Sequence, residues 1–411
     1  MKKFVILSYS ISGMGGGQMY QYNKLSYMKK LGYQTYILYA VPGEIVIKEI
    51  MDVAEVKNLD DLNRHPLVVG KKKVNEVVRS IVNFLGRETS DVIIECNNKT
   101  TSLWGEILAK ELQGFSYCLI LDEKIGSMDQ QMLEFFEYKR EKNELKGLKN
   151  ETYEMIFEGE KVPTDYQYCL PIESNNVVSD VDFNDIIDEN VNYDLKIGSI
   201  GRLNKDYVQT LVDQVVLYAN EYKNKKICFG LIGNSPNGMI EASIKEKTKN
   251  IGNLDIYFWG AMYPIPERLL HRFDIFISSA GSARVSGDRG IPTITIDARD
   301  HMAIGVYQYE TDNTVFRQNE PKIQIAEKIK YVIENYNGIC EKLYVKPAAN
   351  FDEAFSQHLA YYKAHVNTGE YYDVLSMKLS KKKMVEKMVY LIFGKNIYDQ
   401  IRKSVFSNMR R

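Results

Sequence analysis

Residues 195–203, LKIGSIGRL, restrict the possible folds more than any other stretch, because the chain has already begun the same way at its amino end. In the middle copy Leu195, Ile197 and Ile200 form a short apolar run that enters a Gly-x-x-Gly turn (Gly198, Gly201). Val208, Leu211, Val212, Val215 and Val216 then follow at helical spacing. In the first copy residues 4–7 are continuously apolar, as expected of a parallel strand buried on both faces. Glycines at 13 and 15–17 follow, and then a helix from about 18 to 31. A strand, glycine turn and helix place backbone N–H groups and a helix N-terminus at the strand's carboxyl end, where anions bind. Arg202 adds a guanidinium that can grip two phosphate oxygens at once. Two such starts predict an α/β chain of two Rossmann-like parallel-sheet halves facing a central cleft.

At 411 residues the chain exceeds what one core usually supports. We expect a first domain over 1–190, a second over 191–350, and carboxyl-terminal helices over 351–411. A 45% hydrophobic, 26% charged composition suits a soluble globular protein, and a net charge of −1 gives no reason to expect nucleic acid. The charge is uneven, however. Residues 377–411 hold ten Lys/Arg against Glu386 and Asp399, a tail of +8 that leaves −9 on the rest. Five scattered cysteines without a C-x-x-C indicate thiols in a reducing compartment. The apolar run at 4–7 is too short for a signal peptide, and no run approaches 18 residues. The expected location is the cytoplasm, or the inner membrane face.

The 13–17 loop is neither a dinucleotide fingerprint, since Gln18 stands at the third glycine position, nor an ATPase phosphate loop. It reads either as a turn needing positive φ or as a loop that approaches a phosphate or sugar. Further β-α-β units follow, with strands near 33–39, 92–95 and 117–121. Strand ends carry the chemistry in such sheets, so Asn97, Asn98, Asp122 and Glu123 are candidates. Residues 153–157 and 167–170 read as the last strands of the first half, and acidic residues 172–192 as a linker. Asp180-Val181-Asp182 imitates a metal-binding pair but reads there as a solvated loop. Strands are expected again at 227–232, 256–259, 273–278 and 293–296, and a helix at 323–336.

The ordered landmarks resemble GT-B glycosyltransferases, and most closely the family 4 retaining enzymes of bacterial capsule and exopolysaccharide synthesis. The matching residues are Gly15-Gly16-Gly17, Ser199-Ile200-Gly201-Arg202-Leu203 and Leu231-Ile232-Gly233-Asn234, then Tyr257-Phe258-Trp259-Gly260 and Phe273-Asp274-Ile275-Phe276-Ile277, and finally Gly290-Ile291-Pro292-Thr293. The resemblance implies that Arg202 and Lys205 meet the donor diphosphate, near Gly201, Gly233 and Asn234. It also implies that the turn at Trp259 and Gly260 holds the base. Gly15, Gly16 and Gly17 would close over the diphosphate or sugar. GT-B enzymes neutralise the leaving diphosphate with basic side chains and helix N-termini, so no metal and no cofactor are expected. The chain departs from the family in one place. The paired glutamates before the Gly-x-Pro correspond to Ile277 and Val285, and no glutamate occurs from 275 to 299. Gly281, Ser282 and Arg284 stand there instead, able to bind phosphate. Where the family often has a histidine, this chain has Asp122 and Glu123, which either serve the acceptor hydroxyl or cap a turn. His65, the one histidine of the first half, reads as structural.

In the tail, Leu379, Met384, Val385, Met388, Val389 and Ile392 recur at helical spacing, and Ile397, Ile401 and Val405 do so after Gly394. Such a basic amphipathic segment suits an anionic membrane surface, and equally a helix packed across a domain junction. The expected partners are a nucleotide-sugar donor, a glycan or lipid-linked glycan acceptor, and an anionic membrane surface met by 377–411. The expected activity is retaining, metal-independent sugar transfer in bacterial surface polysaccharide synthesis. Nucleotide-sugar epimerisation and a non-catalytic GT-B partner of another transferase are the alternatives.

Overall fold

The computed structural model describes residues 2–13, 15–86, 91–121, 125, 128–174, 178–235, 238–347 and 350–406. By its internal contacts the chain forms two compact units: residues 1–13, 20–173 and 350–411, and residues 14–19 and 174–349. The division falls at 173/174, earlier than the expected 190/191, and the carboxyl-terminal helices group with the first unit.

The first unit is built on a six-stranded sheet of β1 (Lys2–Ser8), β2 (Gln34–Tyr39), β3 (Glu55–Asn58), β4 (Asp91–Cys96), β5 (Phe115–Ile120) and β6 (Leu145–Gly147). All neighbours are parallel, in the order β3-β2-β1-β4-β5-β6. Strand alternation splits the core in two. Val5 and Leu7 pack with Val74, Val77 and Ile81 of the helix Lys71–Leu85 and with Trp104 and Leu108 of the helix Lys99–Leu112. Phe4 and Ile6 pack with Leu25 and Met28 of the helix Gly16–Lys30. The helix Phe351–Ala364 closes over β5, setting Phe355 and Tyr361 against Tyr117 and Leu119.

In the second unit β7 (Val178–Ser179) pairs with β11 (Ile265–Pro266). The main sheet comprises β8 (Leu195–Ile200), β9 (Ile227–Ile232), β10 (Leu254–Gly260), β12 (Ile275–Ser278), β13 (Thr293–Ile296) and β14 (Ala303–Val306), in the order β10-β9-β8-β12-β13-β14. Only β14 runs antiparallel to its neighbour. One face packs on the helices Tyr207–Glu221 and Ile325–Glu334, through Ile197, Phe229 and Ile277. The other carries Ile200, Ile232, Phe273 and Phe276.

The expected strand at 153–157 is instead the end of a helix, Asn150–Ile156, whose Tyr153, Ile156 and Phe157 enter one cluster. Residues 167–170 contribute only a bridge from Cys169 to Gly147. The linker is less bare than expected, because it holds β7. Asp180 and Asp182 remain solvated, as expected, and pair at the surface with the Arg268 guanidinium at 3.1 and 2.9 Å.

Two buried lysines in the first unit have opposite surroundings. Lys139 donates to Glu106 and Glu144, both at 2.5 Å, and to Ser116. Burial pulls its pKa down, but the two carboxylates outweigh burial and hold it above the usual lysine value. Lys24 is fully buried over the rings of Phe4, Phe355 and Tyr362, with no hydrogen-bond partner for Nζ among the described residues. Burial lowers its pKa from 10.5 to about 7, and Glu95 only partly opposes this.

Two predictions follow from these surroundings. Lys139→Met leaves two buried carboxylates uncompensated and should cost about 3–5 kcal/mol, read as a fall in the denaturant midpoint. Lys24→Met should stabilise the protein instead, by on the order of 5 kcal/mol below pH 7. Below that pH the cost of burying the wild-type ammonium is fully present. It fades between pH 7 and 10.5, where the unfolded chain still holds the proton and the folded chain does not. Chemical denaturation of both proteins across this window should show the difference shrinking as pH rises.

Candidate functional site

The strand order of the second unit reverses at β8, whose neighbours are β9 and β12. In open parallel sheets ligands bind at the carboxyl ends of the strands beside such a switch point. Here Gly201 and Arg202 follow β8, Gly233 and Asn234 follow β9, and Gly281 and Ser282 follow β12. The three strand ends are laced together. The Gly201 N–H donates to the Ile232 carbonyl at 3.0 Å, and the Leu203 N–H to the Asn234 carbonyl at 3.0 Å. The Ile200 N–H donates to Ser278 Oγ at 3.0 Å. Gly233 lies so close to this crossing that a Cβ on it would stand 1.9 Å from the Gly201 carbonyl oxygen. A side chain there would push the two turns apart.

Around this crossing the structure brings together most of the glycines, hydroxyls and basic groups expected from sequence. A Cβ built on Gly201 would lie 3.8 Å from Ser282 Oγ and 3.0 Å from the Tyr207 hydroxyl. Residues 14–19 group with this unit. A Cβ on Gly15 would lie 3.8 Å from Arg202 Nε, and one on Gly16 would lie 3.3 Å from Ser174 Oγ. A Cβ on Gly281 would lie 3.8 Å from the same Ser174 hydroxyl. Gly16 opens the helix Gly16–Lys30, and Gly17 lies in its first turn. Arg202 is exposed, and Lys205 is half-buried, one turn on, with its N–H on the Arg202 carbonyl at 3.3 Å. The arrangement offers a cation, hydroxyls and close-approaching backbone to an anionic ligand.

The turn at Trp259 and Gly260, expected to hold a base, takes a form the sequence did not announce. Gly260 ends β10 at φ +75° and bridges to Gly233, which sets that turn beside the crossing. The Trp259 ring packs edge-on against Phe273 at 5.7 Å, so its side chain joins the hydrophobic cluster. Its indole N–H has no hydrogen-bond partner among the described residues. Arg284 is exposed in the helix Gly281–Gly287; burial raises the pKa of the nearby Tyr307 hydroxyl, opposed mainly by Lys346 and least by Arg284. Asp297, at the end of β13, is absorbed structurally. Burial raises its pKa, but the Arg299 guanidinium and the N–H groups of Arg317 and Arg299 outweigh that and bring it to about 2.

Ser174 is the residue that sequence reasoning missed, because a lone serine at the edge of a polar linker carries no signal. Ala280 also went unremarked. Its φ of +56° makes the sharp strand-to-helix turn that presents Gly281 and Ser282.

In the first unit the sheet reverses between β1 and β4. Gln21 Nε2 spans that switch point, donating to Ser8 Oγ at 2.7 Å and to Asn97 Oδ1 at 3.0 Å. Asn98 caps the helix Lys99–Leu112 in a reciprocal box with Thr101, which accounts for it structurally. His65 is structural too, its Nδ1 accepting the Leu67 N–H at a helix start. Asp122 and Glu123, the expected acceptor-side carboxylates, lie outside the described residues.

No protein-family model and no curated protein matches this chain. Solved structures do match. A glycosyltransferase from Rickettsia africae superposes with a TM-score of 0.57 at 15% identity, covering 92% of this chain and all of that one. Anabaena Alr3699/HepE, solved with UDP and glucose, gives 0.58 at 12% identity, covering 88% and 99%. A Listeria monocytogenes protein assigned provisionally as a UDP-N-acetylglucosamine 2-epimerase gives 0.53 at 12% identity, covering 89% and 96%. At such identities the likeness is one of architecture, and with two Rossmann-like units the chain has the GT-B fold.

Proposed function

We propose that this chain is a glycosyltransferase that moves a sugar from a nucleoside-diphosphate sugar to a glycan hydroxyl. The observation that carries this reading is the convergence of Gly201, Arg202, Gly233, Ser282, Gly15 and Ser174 at one sheet switch point. In the proposed reaction the bond between the anomeric carbon and the β-phosphate oxygen breaks, and the diphosphate leaves with the electron pair. The acceptor oxygen bonds to that carbon and gives up its proton to the departing diphosphate. Charge gathers on the β-phosphate as the bond breaks, where Arg202, Lys205 and the backbone N–H groups after β8 and β12 would stabilise it. This supply of positive charge supports transfer without a divalent metal. We further assign the transfer as retaining, in bacterial surface polysaccharide synthesis, with a lipid-linked acceptor met at the inner face of the plasma membrane. The support for these finer points is the ordered set of motifs shared with family 4 enzymes.

UDP is the first nucleotide to test, since Alr3699/HepE was solved with it. A second reading, nucleotide-sugar epimerisation, is favoured by the likeness to the Listeria protein. The two part on products. A transferase releases free nucleoside diphosphate in step with glycan growth, whereas an epimerase returns an intact nucleotide-sugar.

Thermal shift against UDP, GDP, dTDP, CDP and their sugars, with and without EDTA, should yield one clear hit that EDTA leaves unchanged. At a hundred times its dissociation constant a ligand stabilises by about 2.7 kcal/mol. Silence across the panel would favour a non-catalytic partner of another transferase. Given a hit, Arg202→Ala should lower turnover about 10²–10³-fold while the melting temperature without ligand stays put. Turnover near wild type in that variant would remove Arg202 from the site.

A further inference from the structure

Eight of the seventeen large hydrophobic side chains exposed among the described residues lie on one element, the carboxyl-terminal helix Lys381–Phe406. The rest are scattered singly or in one adjacent pair. Gly394, at φ +71°, breaks this element into two helical stretches. In the first stretch Met384, Val385, Met388, Leu391 and Ile392 are between 54% and 66% exposed. At 100° per residue these five occupy an arc of roughly 120°. Lys381 opens that arc, and Lys382 and Lys387 flank it on either side.

The opposite side of the first stretch carries Lys383, Glu386 and Tyr390 inward, with Phe393 exposed beside the break. Glu386 is buried and accepts from the Lys383 ammonium at 3.1 Å and the Tyr398 hydroxyl at 3.2 Å. Past the break, Asp399 accepts from Arg64 Nε at 3.2 Å, and the Arg402 guanidinium donates to the Asn63 carbonyl at 2.8 Å. Tyr390 packs at the edge of the first unit's core. The Glu386 bonds lie within the element, and it is the burial of Glu386 and the packing of Tyr390 that turn this side of the first stretch inward and leave the apolar arc outside. A surface helix of a globular protein ordinarily does the reverse.

We propose that this outward arc is a docking surface for an anionic lipid bilayer. Charge decides between occupants. The described stretch from Lys378 to Arg402 holds seven basic side chains against Glu386 and Asp399. Pairing the arc with a second copy would bring the flanking lysines of two helices together. An anionic headgroup layer instead meets lysines at the level of the charges and accepts the methionine, leucine and isoleucine side chains just beneath. Each lysine at such a surface adds roughly fivefold to partitioning, and salt weakens this term. The inference goes beyond the proposed sugar transfer and stands whatever the donor is, because vesicle binding needs neither donor nor acceptor.

The test is co-sedimentation of the full chain with vesicles of phosphatidylcholine alone and of phosphatidylcholine with 30% phosphatidylglycerol, at about 50 and 500 mM salt. Binding is expected on the anionic vesicles at low salt, with at least a tenfold loss at high salt and on neutral vesicles. The double variant Met388→Glu/Ile392→Glu alters only exposed positions, so its melting temperature should match wild type while its vesicle binding falls at least tenfold. A Leu391→Trp variant should shift its emission to the blue when anionic vesicles are added, as insertion requires. Failure of the wild-type chain to bind anionic vesicles, or undiminished binding by the double variant, overturns the proposal. So does a concentration-dependent dimer without lipid that the double variant abolishes, since the arc would then belong to a second copy.

Discussion

The crossing of two backbone turns at Gly201 and Gly233 is the constraint on which the second unit rests. The carbonyl oxygen of Gly201 occupies the space a Gly233 side chain would need, so the ends of β8 and β9 can touch. The sheet behind is prepared in the same way. Gly198 and Gly230 face each other across β8 and β9, and a Cβ on either would stand within 2.4 Å of the Phe276 or Phe273 ring. Two aromatic rings thus lie on bare backbone in the middle of the sheet, with Trp259 edge-on to Phe273. Close packing beneath and close approach above hold the turn that carries Arg202.

The first unit solves a different problem, the burial of charge. The Glu95 carboxylate is wholly enclosed and accepts from the Tyr20 hydroxyl at 2.9 Å, from Asn97 Nδ2 at 2.9 Å and from the Tyr117 hydroxyl. Tyr117 in turn bonds Tyr362 at 2.5 Å, on the helix Phe351–Ala364. His358 on that helix bonds the Pro171 carbonyl, and burial drives its pKa far down so that it stays neutral. The segment after residue 350 is therefore part of the first unit's interior. Satisfied carboxylates cost little to bury, whereas a carboxylate stripped of these donors would cost several times more.

Much of this was legible in the sequence, and the failures have physical causes. Long apolar runs such as FVIL and ICFGLI announced parallel strands because both faces of the sheet are covered. The edge strands β3 (EVKN) and β6 (LKG) carry no such signal, since ladder bonds and a neighbour rather than hydrophobic pattern make them strands. Residues 153–157 were misassigned even though Tyr153, Ile156 and Phe157 stand at i, i+3 and i+4, a helical spacing. The strand-end glycines and Arg202 were readable from their place after an apolar run. Ser174 was not, because its position beside Gly16 and Gly281 depends on tertiary structure alone.

Periodicity has a further limit, which the carboxyl-terminal helix exposes. Apolar residues at i, i+4, i+7 and i+8 establish that a helix has two unlike faces, but they do not say which one points inward. The usual assumption, apolar side in, rests on the core being the only apolar phase available. Here Glu386 is buried, bonded to Lys383 and Tyr398 of the same element, and past the break Asp399 and Arg402 bond to Arg64 and Asn63 of the first unit. Half a turn of the first stretch would expose buried Glu386 and lift Tyr390 off the core, so in this fold the apolar arc faces outward. An apolar face that the fold itself turns outward, bordered by lysines, calls for a second apolar phase with negative charge at its rim, and a bilayer surface is one.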